Sequence, residues 1–248
     1  MQKRSAIVQK PSTMETRAVV KVYNITDWVS EIKYCDLEGL KHQAVTEPLP
    51  LVVGSVEFVR EALGHFGIVE PDPMDYDNRI KDLLNRHIEL MSVGRALSRV
   101  VRFFVKPCKG RAFTGFIRDP LDEYEYSHDF EQFNKFLALP GDEKVWVSEV
   151  VNFVAEWRVY VLKGKVLAVC RYDANEEEFE PCQQFIQECV SRFDGETLAI
   201  DVGLDDYGQF SIVEINDAWA IGFYKGISER DYFSFLLARW EEILKSKI

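Results

Sequence analysis

The apolar positions change period along this chain, and the change separates a mixed first part from a strand-rich second part. In the first part, "AVVKVYN" (18–24) reads as a strand and "DWVSEIKYC" (27–35) as a short helix. A loop holding Pro48 and Pro50 leads to a buried-strand run, "LVVGS" (51–55), and then to a helix, "VEFVREALGHFG" (56–67). The Pro-rich "EPDPMDYD" interrupts the pattern. Beyond it Ile80, Leu83, Leu84, His87, Ile88 and Met91 recur at helical spacing and predict a helix over 76–97. His87 on that stripe reads as a core or boundary residue rather than a ligand.

The second part alternates. "RVVRFFVKP" (99–107) predicts a strand that runs into a loop with Gly110 and Gly115, a helix is expected near 128–138, and "KVWVSEVV" (144–151) predicts another strand. Residues 155–173 form two alternating runs joined at Lys163-Gly164, a strong hairpin signal. An acidic loop (Glu176–Glu180) and a helix near 181–193 precede a second hairpin, "TLAIDVGLDDYGQFSIVEIND", and a helix over 228–246 closes the chain. The expected fold class is α+β, with antiparallel sheets, flanking helices and two units: a small leading α/β domain over 1–98 and a larger domain over 99–248.

Composition narrows the function classes. A hydrophobic fraction of 47% with 13% aromatics is that of an ordinary globular protein. The opening residues carry no apolar signal region, and no uncharged apolar run is long enough to span a bilayer, so no membrane partner and a cytoplasmic location are expected. Five cysteines without a CxxC pair read as reduced thiols. The net charge of -11 argues against nucleic acid as a partner. Its distribution is informative: seven basic residues and no acid lie between Gly94 and Arg118, and an acidic stretch over 119–131 follows. The basic segment suits a small polyanion such as a nucleotide triphosphate, and a solvated face balanced by its acidic neighbour is the other reading.

Three constellations carry chemistry. In "SIVEIND" (211–217), strand alternation puts Ile212, Glu214 and Asn216 on one face and Val213 and Ile215 on the other. Asp201 lies on the partner strand, and two carboxylates with an amide are hard ligands that suit Mg²⁺; a surface strand facing water is the alternative. In the first hairpin a two-residue turn sets Glu156 opposite Arg171 and Arg158 opposite Val169, so Glu156, Arg158 and Arg171 share a face, either as an anion site or as a surface ion pair. Third, Lys106 ends an apolar strand and is followed by a basic, Gly-containing loop, "CKGRAFTGF", that can lie over phosphates although it is no Walker A motif. Cys108 within it reads as an incidental thiol.

Taken together, and in this order, these features resemble the ATP-grasp superfamily. Strand lysine, glycine-bearing flap, acidic hinge strand, arginine strands and the Asp201, Glu214, Asn216 spacing follow the family's sequence over about 99–226. "VGSVEFV" and "EINDAWAIGFYKG" are similar to the clade named for two arginines and a lysine. The resemblance implies ATP and Mg²⁺ as cofactors. Lys106 would meet the α- and β-phosphates under a flap bearing Lys109 and Arg111, and Val150 and Val151 would meet adenine beside Glu149. Asp201, Glu214 and Asn216 would hold Mg²⁺. Arg158 and Arg171 would act on the γ-phosphoryl group, and Glu156 would orient Arg171 or contact ribose. The clade lysine is Lys106 or Lys225. The implied activity is an ATP-dependent carboxylate-amine ligase working through an acyl phosphate, on small-molecule or peptide substrates. A kinase of the same fold and a non-enzymatic nucleotide-binding protein are the alternatives, and the oligomeric state is left open.

Overall fold

The computed structural model describes residues 4–23, 29–110, 112–121 and 129–245. A leading three-stranded parallel sheet, β2-β1-β3, is built from β1 (Arg4–Gln9), β2 (Val29–Cys35) and β3 (Leu51–Val53). Helices α1 (Met14–Tyr23), α2 (Leu37–Leu40) and α3 (Val56–His65) connect and cover it. Ser55 starts α3 by accepting the Phe58 N–H through its side chain.

Two expectations reverse here. The run 18–24, expected as a strand, lies in α1 as far as it is described: Ala18, Val19, Val22 and Tyr23 are buried at three- and four-residue spacing. A short apolar run fits either period, and packing against the core selected the helix. The run expected as a helix over 27–35 is the edge strand β2 over its described part, where parallel pairing with β1 satisfies its backbone.

The expected helix over 76–97 is also absent. Its place is taken by a 3₁₀ turn (Asn78–Leu83), β4 (Ile88–Ser92) and α4 (Val93–Leu97). Asn85 has a φ of 49°, which no helix continues through, and Ser92 caps α4 by accepting the Arg95 N–H. The apolar stripe serves two cores: Ile80, Leu83 and Leu84 pack into one, Met91 into another. His87 is exposed and off the stripe.

A second sheet runs β4-β7-β5-β6, with β5 (Phe103–Pro107), β6 (Phe116–Arg118) and β7 (Lys144–Ser148), all antiparallel; α5 (Phe130–Leu137) covers it through Phe136. Because β4 pairs with β7, residues 88–92 belong to this sheet and not to a leading unit ending at 98. The third sheet, β11-β10-β8-β9, holds β8 (Phe153–Leu162), β9 (Lys165–Arg171), β10 (Leu198–Asp205) and β11 (Phe210–Asp217), again antiparallel. One face packs on α6 (Gln183–Ser191) through Val159, Val161, Leu198 and Ile200. The other looks toward α7 (Glu229–Lys245), whose Tyr232, Phe235 and Trp240 join the core of the leading sheet. Each such fully buried large side chain contributes roughly 2–3 kcal/mol. None of the five cysteines is in a disulfide, and no helix among the described residues is long and apolar enough to cross a membrane.

Candidate active site

Strand register builds the site. Asp201 on β10 pairs directly with Glu214 on β11 and with Arg158 on β8, and Arg158 pairs with Cys170 on β9. These four residues form one row across the third sheet. The ladder between β10 and β11 slips after Asp201, where Val202 pairs with Ile212 and leaves Val213 as the extra residue of a bulge. Alternation therefore restarts there: Ile212 joins Ile215 in the α6-side core, while Glu214 and Asn216 keep the opposite face with Asp201. Strict alternation would put Ile212 beside Glu214; the bulge separates them.

The first hairpin has the two-residue turn expected, with positive φ at Lys163 (49°) and Gly164 (76°). A second irregularity follows at once. Val161 pairs with Val166 but Tyr160 with Ala168, so Leu167 is an extra residue on β9 and every later pair moves by one. Arg158 thus lies opposite Cys170, not Val169, and Arg171 lies opposite Trp157, not Glu156. Arg171 is turned to the other face of the sheet. It is bound there to both oxygens of Asp173 at 2.8 and 2.9 Å and to the carbonyls of Asn175 and Glu177. The residue that joins Glu156 on the site face is Tyr172, whose hydroxyl donates to the Glu156 carboxylate at 2.7 Å.

Arg158 is buried and forked onto Asp201, with Nε to Oδ1 at 2.8 Å and Nη2 to Oδ2 at 2.6 Å. Its guanidinium lies against the rings of Tyr172 and Tyr224, which stack on one another. Burial pushes the Asp201 carboxyl up, to about 6, and the guanidinium offsets only part of that rise. The Asn216 amide donates to both Asp201 Oδ2 and Glu214 Oε1 at 3.0 Å, so the three expected metal ligands do meet. Among the described residues no cluster of three His, Cys, Asp or Glu exists that could hold a metal. The donor set here is two carboxylates and an amide, hard oxygens that fit Mg²⁺ once the amide turns its oxygen inward.

Lys106, from β5 in the second sheet, closes the site from the other side. Its ammonium stands 2.6 Å from Glu214 and 2.7 Å from Asp75, over the ring of Tyr76. Burial alone would lower its pKa, but the carboxylates of Glu214 and Asp75 outweigh that and hold it protonated. For Glu214, burial acts upward, and Lys106 and the Asn216 amide bring its pKa below the ordinary carboxylate value.

Two cavities share Lys106 and Glu214. The smaller, about 220 Å³, is lined by Tyr76, Arg86, Phe104, Glu149, Val150, Val151, Phe153 and Glu156 among others. Residues 149–151 leave the β7 ladder, and Glu149 is pinned by accepting the His87 N–H while its own N–H donates to the His87 carbonyl. The larger, about 420 Å³, lies between α3, the 70–75 linker, the loop after β5 and the end of β11. Lys109 is exposed beside it, 3.7 Å from Asp72, and Lys225 is exposed and outside both cavities. Arg111 lies outside the described residues.

Three site residues had no signal in the sequence. Arg86 donates to the carbonyls of Leu84, Ile212 and Val213, bracing the bulge in β11. Asp75 and Tyr76 come from the Pro-rich linker, and Asp75 is drawn in by the Ile215 N–H, which donates to its carbonyl at 3.0 Å. Only a Pro-rich loop is visible there in the sequence.

No curated protein sequence matches the chain at a significant level. Solved structures do. The ATP-grasp ligase PsnB complexed with minimal precursor is 12% identical, with 96% of this chain and 100% of that chain covered and a TM-score of 0.56. A second PsnB structure, with a phosphomimetic precursor variant, Mg and ADP, is 13% identical at a TM-score of 0.54, covering 96% and 98%. The D-alanyl-alanine synthetase A of Vibrio cholerae is 15% identical over 98% of this chain and 97% of that chain, with a TM-score of 0.56. At these identities the likeness is one of fold. The family model of the ATP-grasp domain, family 2 of the clade named for two arginines and a lysine, matches residues 83–235. That segment contributes β4 to β11 and with them every expected site residue. The chain therefore belongs to the two-arginine, one-lysine clade of the ATP-grasp family.

Proposed function

We propose that this protein is an ATP- and Mg²⁺-dependent carboxylate-amine ligase. The observation that carries the reading is that Lys106 and Glu214 stand where two cavities meet, with Asn216, Asp201 and Arg158 bonded one to the next behind Glu214, since a ligase must bring a second substrate to the phosphate end of a nucleotide. The family and the ligase neighbours support it, one neighbour being complexed with a precursor peptide and AMPPNP. Amino acids or peptides are accordingly the substrate class proposed.

The smaller cavity takes the nucleotide. The backbone of Val150 and Val151 meets the adenine edge, Glu156 accepts from ribose, and the Lys106 ammonium faces the phosphates. Mg²⁺, when bound, supplies charge neutralisation on the phosphates, and Asp201, Glu214 and Asn216 are the residues that hold it. Arg158 fixes Asp201 through two of its nitrogens and leaves Nη1 for the transferring phosphoryl group. Arg171 is dropped from this role, because its guanidinium is engaged with Asp173 on the far face.

In the proposed reaction the acid's carboxylate oxygen attacks the γ-phosphorus and the bond to ADP breaks, giving an acyl phosphate. The amine nitrogen then attacks the acyl carbon, phosphate leaves, and the ammonium proton passes to solvent. The test is hydroxylamine capture. With ATP, Mg²⁺ and a panel of amino acids and peptides, ligase chemistry yields ADP and an acyl hydroxamate in equal amounts. A stable phosphorylated product, untouched by hydroxylamine, would identify a kinase instead.

A further inference from the structure

Asp75 lies outside every motif of the sequence, yet it makes the closest contact that Lys106 has after Glu214. We infer that Asp75 is a positioning residue for Lys106, holding the ammonium at the boundary of the two cavities when a metal claims Glu214. The inference rests on the nucleotide reading of the smaller cavity and goes beyond it.

Four observations lead there. The Asp75 carboxylate is fixed at both oxygens: Oδ1 meets Lys106 at 2.7 Å and Oδ2 accepts the Trp146 indole N–H at 3.1 Å. Its backbone is fixed to the metal-bearing strand, because the N–H of Ile215, next to Glu214, donates to the Asp75 carbonyl. Its φ of 29° lies in the left-handed region that a non-glycine residue adopts at a cost, so the surrounding bonds hold the chain in this turn. The turn sends two consecutive residues to different cavities, Asp75 to the larger and Tyr76 to the smaller, with Lys106 against both.

The chemistry follows from the donor count. An ammonium has three N–H groups, and two of them meet carboxylates here. Glu214 is also a proposed metal ligand, so metal binding draws its oxygens toward the cation and weakens its hold on Lys106. Asp75 coordinates nothing in that arrangement. It remains as the counter-charge that keeps a four-carbon, rotatable side chain aimed at the phosphates.

Calorimetric titration of the full chain with adenosine and with ADP, each with Mg²⁺ and with EDTA, tests this in wild type, Asp75→Asn, Asp75→Ala and Lys106→Met. Asp75→Asn keeps an acceptor for Trp146 and so protects the fold. The expected result is adenosine affinity within about twofold of wild type in both Asp75 variants. ADP affinity with Mg²⁺ falls about tenfold in the alanine variant and less in the asparagine variant, with a smaller loss in EDTA. Unchanged or tighter ADP binding in Asp75→Ala overturns the inference, because Asp75 would then oppose the phosphates. Equal losses for adenosine and ADP overturn it too, because they mark general damage. If Lys106→Met leaves ADP affinity untouched, the nucleotide reading itself fails, and the inference with it.

Discussion

Lys106 and Glu214 stand 108 positions apart in sequence and 2.6 Å apart in space, and they belong to different sheets. Their contact joins the second sheet to the third, so the proposed phosphate lysine and the proposed metal carboxylate are set relative to each other by the fold itself. Glu214→Gln should leave Lys106 held by Asp75 and the fold intact. Expected is a loss of about tenfold or more in ADP affinity in Mg²⁺, with little change in EDTA, measured by calorimetry.

Arg158 is forked onto a buried Asp201, a geometry an ammonium cannot copy. Arg158→Met leaves the buried Asp201 carboxylate without its cationic partner, the Asn216 amide alone remaining. A stability loss of about 3–5 kcal/mol is expected from denaturant unfolding, with Arg158→Lys intermediate. Equal stability in the methionine variant would show that the pair contributes nothing net.

Gly203 faces the Phe153 ring so closely that an added Cβ would overlap the ring carbons. Phe153 lines the smaller cavity, so Gly203→Ala should force the ring into the space proposed for nucleotide. A cost of about 1–3 kcal/mol in stability, accompanied by weaker adenosine binding, is the expected outcome. Adenosine affinity, which depends on no phosphate contact, is the measurement that separates this from effects at Lys106.

Arg171 ties down the segment after β9 rather than the site. Arg171→Gln should leave ADP affinity unchanged. The Asp173 carboxyl is held down to about 2, chiefly by the Arg171 side chain, against an ordinary value of 3.8. A depressed carboxyl stabilises the folded state above its unfolded pKa, and that contribution fades as pH falls from about 4 through about 2. In acid titrations followed by unfolding, wild type should lose stability across that window more steeply than the variant.

The meeting of Asp201, Glu214 and Asn216 was legible because they sit on one hairpin, where a clear turn and short-range alternation bring Asp201 to Glu214. That Glu149, Val150 and Val151 would share a cavity with the lysine on β5 was legible through their order along the chain. The leading elements were not, since short runs such as 18–24 satisfy both periods until packing decides. The stripe from Ile80 to Met91 misled because one spacing served two cores. Asp75, Tyr76 and Arg86 reach the site through contacts with distant strands, and nothing local marks them.

The bulge at Leu167 decides which side chains at the end of β9 share the face of Arg158 and Asp201. With that one residue of extra length, Cys170 and Tyr172 face them and Arg171 does not. Were Leu167 paired with Tyr160 instead of left out of the ladder, the regular register would bring Arg171 to the face of Arg158 and withdraw Tyr172, with no residue altered. In this sheet one residue held out of the ladder has the reach of a double substitution, and the arginine count of this face is written in pairing as much as in identity.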